Sequence, residues 1–178
     1  MKQVFSDIII FEPKIFYDNR GAFFESYNKK LQQEINTKFV QENHSVSHKN
    51  VIRGLHYQWD CPMGKLVRIV RGSVMDYFVD IRKDSPTYGQ HDSILLSDVN
   101  HTMVWIPPYF AHGFQALEDN TVMLYKCSAF YNKEGESGIN PFDQDIGIEW
   151  GIPSNEAICS DKDWNAQSFK DYSQNSKF

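Results

Sequence analysis

"KLVRIVRGSVMDYFVDIR", residues 65–82, decides the fold class. Short apolar runs flank Gly72, so the stretch reads as two strands that turn at that glycine. In the second, Met75, Tyr77, Val79 and Ile81 fall on one face and Asp76, Phe78 and Asp80 on the other, the period of two that a strand imposes. Working outward, "DSILLSD" (92–98), "TMVWIPP" (102–108) and "TVMLYKCSAFY" (121–131) are further short apolar runs bounded by polar turn residues. In the last of these, Val122, Leu124 and Lys126 alternate with Met123, Tyr125 and Cys127. "VFSDIIIF" (4–11) and "GAFFESY" (21–27) read as strands near the start. One stretch differs: in "NKKLQQEINTKF" (28–39) Leu31 and Ile35 lie four apart, which suits a short amphipathic helix. A smaller helical turn is expected after Ser160. Many short strands, Gly/Pro turns and few short helices predict an all-β sandwich or barrel, and two sheets around a pocket would be a double-sheet jelly roll.

The 178 residues suggest one domain, 1–178, because no repeat, low-complexity tract or Pro/Gly/Ser-rich linker divides them. The polar end "SQNSKF" leaves about 170–178 as a flexible tail. A formal net charge of -5 supplies no general drive toward nucleic acid or an anionic membrane. Cys61, Cys127 and Cys159 are odd in number and form no C-x-x-C pair, so a disulfide scaffold is not expected and a reducing cytoplasm is. The apolar start is broken by Ser6 and Asp7 and stopped by Glu12 and Pro13, too short for a membrane span and without a signal-peptide pattern.

Chemistry concentrates in five places. "GLHYQ" offers His56, with Arg53, Gln58 and Lys65 close by; a metal-binding barrel would usually present His-x-His and a Glu, and here Gln58 and Lys65 stand instead. His112 lies between Ala111 and Gly113, which leave room for a ligand, and also fits a turn. Tyr125 points opposite to Leu124 and Lys126, either as a core tyrosine or as a proton donor. In "CSDKDW", Asp161 and Asp163 follow Ser160, as a helix cap with solvated acids or with one carboxylate orienting a histidine. In "FYDNRGAFFESY", Arg20 sits at a turn tip beside Phe16, Phe23 and Phe24, as a plain hairpin or as a phosphate-and-ring recognition set. His56 and His112 lack the further ligands that a catalytic zinc takes, so no metal site is expected.

Taken in order, "EPKIFYDNRGAFFESYN", "FVQENHSVSHKNVIRGLHYQ", "GKLVRIVRGSVMDYFVDIRKDSPTYGQ", "WIPPYFAHGF", "LYKCSAFY", "GIEW" and "SDKD" resemble the nucleotide-sugar 4-keto 3,5-epimerase family over about residues 3 to 165. The resemblance implies a cupin-type jelly roll, no cofactor and no metal. It implies a homodimer whose N-terminal segment contributes to the partner's site, and a nucleotide-linked 4-keto sugar as substrate on the L-rhamnose precursor route. By resemblance His56 is the catalytic base, Asp163 its carboxylate partner, Tyr125 the proton donor on the opposite face and Lys65 the residue at the keto oxygen. Arg20, Phe23 and Glu25 match the segment lent across the dimer. Gln41, Asn43, Arg53 and His112 match positions around pyrophosphate and sugar, and Tyr131 and Glu136 lie where the family meets the base. Family members also act at C3 or C5 alone, or on GDP- or CDP-linked sugars including a deoxyheptose, and a non-catalytic sugar-nucleotide-binding cupin is a further alternative. The chain departs from many relatives at Asn140-Pro141-Phe142, where they carry a Trp-Asn pair near the base and sugar pockets.

Overall fold

The computed structural model describes residues 5–178. Two five-stranded antiparallel sheets face each other. The chain lays down β1 (Ile9–Phe11), β2 (Phe16–Asp18), β3 (Gly21–Phe23), α1 (Lys29–Ile35), β4 (Gln41–Ser47), β5 (Ile52–Gln58), β6 (Lys65–Arg71) and β7 (Ser73–Asp80). β8 (His91–Ser97), β9 (Met103–Ile106), β10 (Phe110–Ala116), β11 (Thr121–Cys127), β12 (Glu136–Gly138), α2 (Asp161–Trp164) and α3 (Phe169–Gln174) follow. The first sheet runs β1-β9-β6-β11-β4, the second β12-β5-β10-β7-β8, and β2 and β3 form a separate hairpin. This is the two-sheet all-β architecture that the strand pattern predicts, in the jelly-roll form that the resemblance implies. The strand expected over 4–11 is realised as Ile9–Phe11, and Val4 lies outside the described residues.

The opening stretch behaves as predicted and adds one detail. β6 and β7 do not pair with each other: β6 lies between β9 and β11, and β7 between β10 and β8. Gly72 therefore carries the chain from one sheet to the other. Its φ of +78° and a virtual Cβ only 2.6 Å from Thr121 Oγ1 leave no room for a side chain. The two faces of β7 then enter different layers. Val74 and Phe78 join Val67, Ile69, Leu96, Val104, Ile106, Phe114 and Met123 between the sheets. Tyr77, Val79 and Ile81 face outward into a second layer with Ile139, Ile146, Trp150 and Tyr172. Each large apolar side chain so buried is worth roughly 1.5–3 kcal/mol.

The outer face of the first sheet is partly closed by α1, whose Ile35 packs with Leu66, Met103 and Trp105. Asn28 caps this helix by accepting from Leu31 N at 3.0 Å, and Asn36 ends it in the left-handed region at φ 53°. The outer face of the second sheet is covered by the C-terminal segment. Residues assigned to a flexible tail from the sequence include α3, where Tyr172 is buried and its hydroxyl donates to Ile81 O at 2.7 Å. Phe178 sets its ring edge-on to Tyr57 and Tyr109.

Candidate active site

The site lies where the β4, β11 and β6 side of the first sheet faces β5 and β12 of the second. Asn43, His56, Lys65, Tyr125, Tyr131 and Glu136 line one cavity there. β5 brings His56 directly opposite His112 of β10, and the β10 register shifts immediately afterwards. Two glycines permit this. A Cβ on Gly54 would come 2.6 Å from Gly113 Cα, so bare backbones meet at the irregularity and both histidines can serve the inter-sheet space.

His56 Nε2 donates to Asp163 Oδ1 at 2.7 Å. An ionised carboxylate only accepts, so the proton sits on Nε2 and Nδ1 is the basic nitrogen of the ring. Asp163 is 4% exposed although it belongs to a helix of four residues. The helix is anchored at its start: Ser160 Oγ accepts from Asp163 N at 3.2 Å, the cap expected from "SDKD". Asp161, the other acid of that motif, is exposed. The Asn140-Pro141-Phe142 departure lies beneath this turn. Asn140 donates to Trp164 O at 2.8 Å, and Phe142 stacks on Trp164 with ring centroids 4.9 Å apart.

Lys65 opens β6, level with Cys127 of β11 and Ile106 of β9. Burial pushes its ammonium pKa down. Tyr125 sits level with Asn43 of β4, and burial pushes its phenol up, partly offset by a hydrogen bond with Asn43. His112 is buried behind Lys65 rather than standing among the cavity residues named above. Its Nδ1 lies 3.5 Å from Lys65 Nζ and its Nε2 donates to Asp76 Oδ2 at 2.9 Å.

The remaining candidates form a rim. Gln41 donates to Asn43 Oδ1 at 2.8 Å and accepts from Tyr131 N at 3.0 Å, tying the Tyr131 loop to the cavity wall. Tyr131 donates its hydroxyl to Glu136 at 2.7 Å, and Lys162 forms an ion pair with the same carboxylate. Burial alone would raise the Glu136 pKa, but Lys162 and Tyr131 outweigh it and hold the carboxyl below its usual range. On the other side of His56 a groove runs past Arg53, Glu136, Lys162 and Asp163. Arg53 donates Nε to Ser47 Oγ at 3.2 Å.

Arg20, Phe23 and Glu25 are not brought to this cavity. Arg20 and Phe23 line a pocket made by the β2–β3 hairpin itself, Arg20 bonds to Asp18 at 2.5 Å, and Glu25 accepts from Asn28 at 3.1 Å. Two charged residues at the site, Asp76 and Lys162, have no place among the candidates read from sequence. Asp76 carried a signal, an acid on the Phe78 face of an apolar strand. Lys162 stood in plain view between two aspartates, but nothing local marked its reach to β12.

The model of the dTDP-4-dehydrorhamnose 3,5-epimerase family matches residues 2–171. An enzyme of that name from Shigella flexneri is 49% identical over 175 residues, covering 96% of each chain. The crystal structure of a dTDP-6-deoxy-D-glucose-3,5-epimerase from Legionella pneumophila, in complex with dTDP-4-keto-L-rhamnose, superposes with a TM-score of 0.90 at 40% identity, covering 94% of this chain and 90% of that one. A 3'-monoepimerase from Streptomyces bikiniensis, in complex with dTDP-quinovose, superposes with a TM-score of 0.91 at 29% identity, covering 99% and 90%. With this fold, this cavity and these relatives together, the chain belongs to the dTDP-4-dehydrorhamnose 3,5-epimerase family.

Proposed function

We propose that the protein inverts C3 and C5 of dTDP-4-dehydro-6-deoxy-D-glucose to give dTDP-4-dehydro-L-rhamnose. The observation that carries this reading is the 2.7 Å His56–Asp163 contact at the wall of a cavity shared with Lys65 and Tyr125. A C4 ketone acidifies the hydrogens on C3 and C5. His56 Nδ1 takes one of them, and the C–H electrons move through the new C=C bond onto the keto oxygen. Asp163 steadies the imidazolium that forms, the part a carboxylate plays behind a histidine base. The Lys65 ammonium meets the oxyanion, a placed charge worth about 3–4 kcal/mol in comparable sites. Tyr125 returns a proton to the opposite face of the same carbon, which inverts it. Each inversion ends at the oxidation level where it began, so it consumes no electron acceptor.

Around this centre, Arg53 stands in the groove beside His56 as a phosphate ligand, and Tyr131 and Glu136 stand at the rim where a base would lie. The β2–β3 hairpin supports a dimeric arrangement. Phe23 is 69% exposed and Tyr17 is 70% exposed, surface that a second subunit would cover, with Arg20 and Glu25 delivered alongside to the partner's site. The three free cysteines fit a cytoplasmic setting, and among the described residues no helix is long and apolar enough to cross a membrane.

The test is incubation in D2O with dTDP-, GDP- and CDP-linked 4-keto-6-deoxy sugars, followed by NMR of the product. Deuterium at both C3 and C5 of the dTDP sugar is expected. Label at C3 alone would make the protein a mono-epimerase, and label only with another nucleotide would move the substrate. In Tyr125→Phe, deuterium still enters but little doubly inverted sugar forms.

A further inference from the structure

Lys65 is asked to stay charged while half-buried at the cavity wall, and its own strand offers it no acid. The compensation comes from across the fold, along a chain of contacts that no role assigned above accounts for. Lys65 Nζ approaches His112 Nδ1 at 3.5 Å, and His112 Nε2 lies 3.1 and 2.9 Å from the two oxygens of Asp76. Asp76 is 0% exposed and His112 6%. β7 and β10 hold the pair rigidly, since both are mid-strand in one sheet with Phe114 level with Asp76 and His112 level with Phe78.

The tautomer follows from the partners. Asp76 only accepts, so His112 carries its proton on Nε2, and the Nδ1 lone pair is left to accept from the Lys65 ammonium. The reverse tautomer would set two donors against each other at Lys65 and two acceptors against each other at Asp76. Burial favours a neutral His112, which keeps the ring an acceptor toward the lysine.

We propose that His112 and Asp76 are positioning residues for Lys65: the buried carboxylate fixes the ring, and the ring aims the ammonium into the cavity where the enolate oxygen forms. The inference rests on the epimerase reading of His56 and Lys65. One N–H of Lys65 is spent on His112, and two remain for the keto oxygen.

The charges facing Lys65 show why Asp76 matters. Burial works against the ammonium, while Cys127 on β11, Asp76 on β7 and Glu136 on β12 favour it. Cys127 is pushed up to about 11 by its own burial, so it is an uncharged thiol near neutrality. Glu136 already answers to Lys162 and Tyr131. His112 is neutral, and His56 opposes the ammonium whenever it is protonated. Asp76 is then the one of these facing anions with no other cation on it in the contacts described. Removing its charge lowers the pH at which Lys65 loses its proton, and activity is lost on the alkaline side accordingly.

The experiment is the pH profile of kcat and KM for wild type, Asp76→Asn and His112→Gln with the dTDP-linked 4-keto sugar. Folding is checked by thermal melting and by dTDP binding. Asp76→Asn keeps an oxygen for His112 Nε2–H and removes only the charge. Its kcat should fall about tenfold or more with KM little changed, as expected for a lost transition-state contact. Its alkaline limb should move down by about one pH unit. His112→Gln keeps the Asp76 charge but loses the ring that aims the ammonium, so its kcat should fall likewise with its limb left in place, and that loss decides the matter should Asp76→Asn not fold. In Asp76→Asn a merely structural role would lower the melting temperature and leave the limb in place, and that result overturns the inference. A wild type that exchanges no substrate protons overturns the epimerase reading and this inference with it. Exchange in the wild type beside an unmoved limb in Asp76→Asn, or beside full kcat in a folded His112→Gln, overturns the inference alone.

Discussion

Two histidine–aspartate pairs sit side by side on neighbouring strands, and they differ in one respect that decides their uses. The His56 and Asp163 side chains are 30% and 5% exposed, whereas those of His112 and Asp76 are 7% and 0% exposed. Both carboxylates bind Nε2 and both free Nδ1. In the first pair Nδ1 belongs to a ring that opens on the cavity and the groove. In the second it meets a lysine. On the proposed reading, the same dyad serves as a base where solvent and substrate can reach it, and as a brace where only another side chain can. The hydrogen-bond pattern of a histidine therefore does not assign its role; the occupant facing its free nitrogen does.

The largest effect is expected at His56. His56→Ala should lower turnover by about 10³-fold, within the range for removal of a general base, with melting temperature and dTDP affinity near wild type. If turnover survives within tenfold, the exposed pair is not the base and the contrast with His112 collapses. Asp163→Asn comes next, at about 10²-fold, because the amide can present either a donor or an acceptor to Nε2 and so releases the tautomer. The check is kcat in the variant against KM, since a loss confined to KM would make Asp163 a binding residue instead.

How much of this was legible depends on the kind of face a strand presents. β7 could be read because Met75, Tyr77 and Val79 share one of its faces and the other mixes Phe78 with two acids. β4, "QENHSVS", gave no such signal. Its outward residues Glu42 and His44 are exposed, and its inward Asn43 lines the cavity, so it is polar on both sides. β10 failed for the opposite reason: all seven residues are buried, which erases alternation, and His112 looked like a turn residue. Pairing was invisible in either case. His56 and Asp163 are 107 residues apart and His112 and Asp76 are 36 apart. The first link was available only through family resemblance, and the second only through coordinates. Strand periodicity reports which way a side chain points; it carries no information on which sheet, or which partner, it points toward.

A third buried acid sharpens the contrast. Asp80 shares the Asp76 face of β7, four residues on, and is also 0% exposed. It is surrounded by donors rather than by one histidine: Arg82 at 2.9 and 2.8 Å, Ser85 at 2.5 Å and Thr87 at 2.6 Å. Burial raises its pKa, but these bonds win and bring it down from 3.8 to about 2. A carboxyl depressed on folding stabilises the native state above its unfolded pKa, and that stability drains away as pH falls from about 4 to about 2. The shift corresponds to about 2 kcal/mol. In urea melts, Asp80→Asn should be less stable than wild type at pH 6, and the gap should narrow by about that amount near pH 2. A gap independent of pH would mean that packing, not charge, holds the corner. Activity per folded molecule should not change, which separates this acid from Asp163 and Asp76.

The smallest effect tests why one functional acid can sit on four residues of helix while the other needs a sheet. Asp76 is held by two strands, and its position cannot loosen without opening the core. Asp163 depends on the Ser160 cap, which satisfies its own backbone N–H, and on the stack of Phe142 against Trp164 beneath. Ser160→Ala leaves that N–H without its side-chain acceptor and should cost about 1 kcal/mol of local stability. Global melting should move by only a few degrees, since the turn lies at the edge of the structure. Turnover should nevertheless fall several-fold with an unchanged pH profile, because Asp163 spends more time away from Nε2, and Ser160→Asp, which restores a capping oxygen, should recover most of it. A Ser160→Ala enzyme with full turnover would show that His56 holds its own carboxylate in place, making the exposed pair as self-sufficient as the buried one.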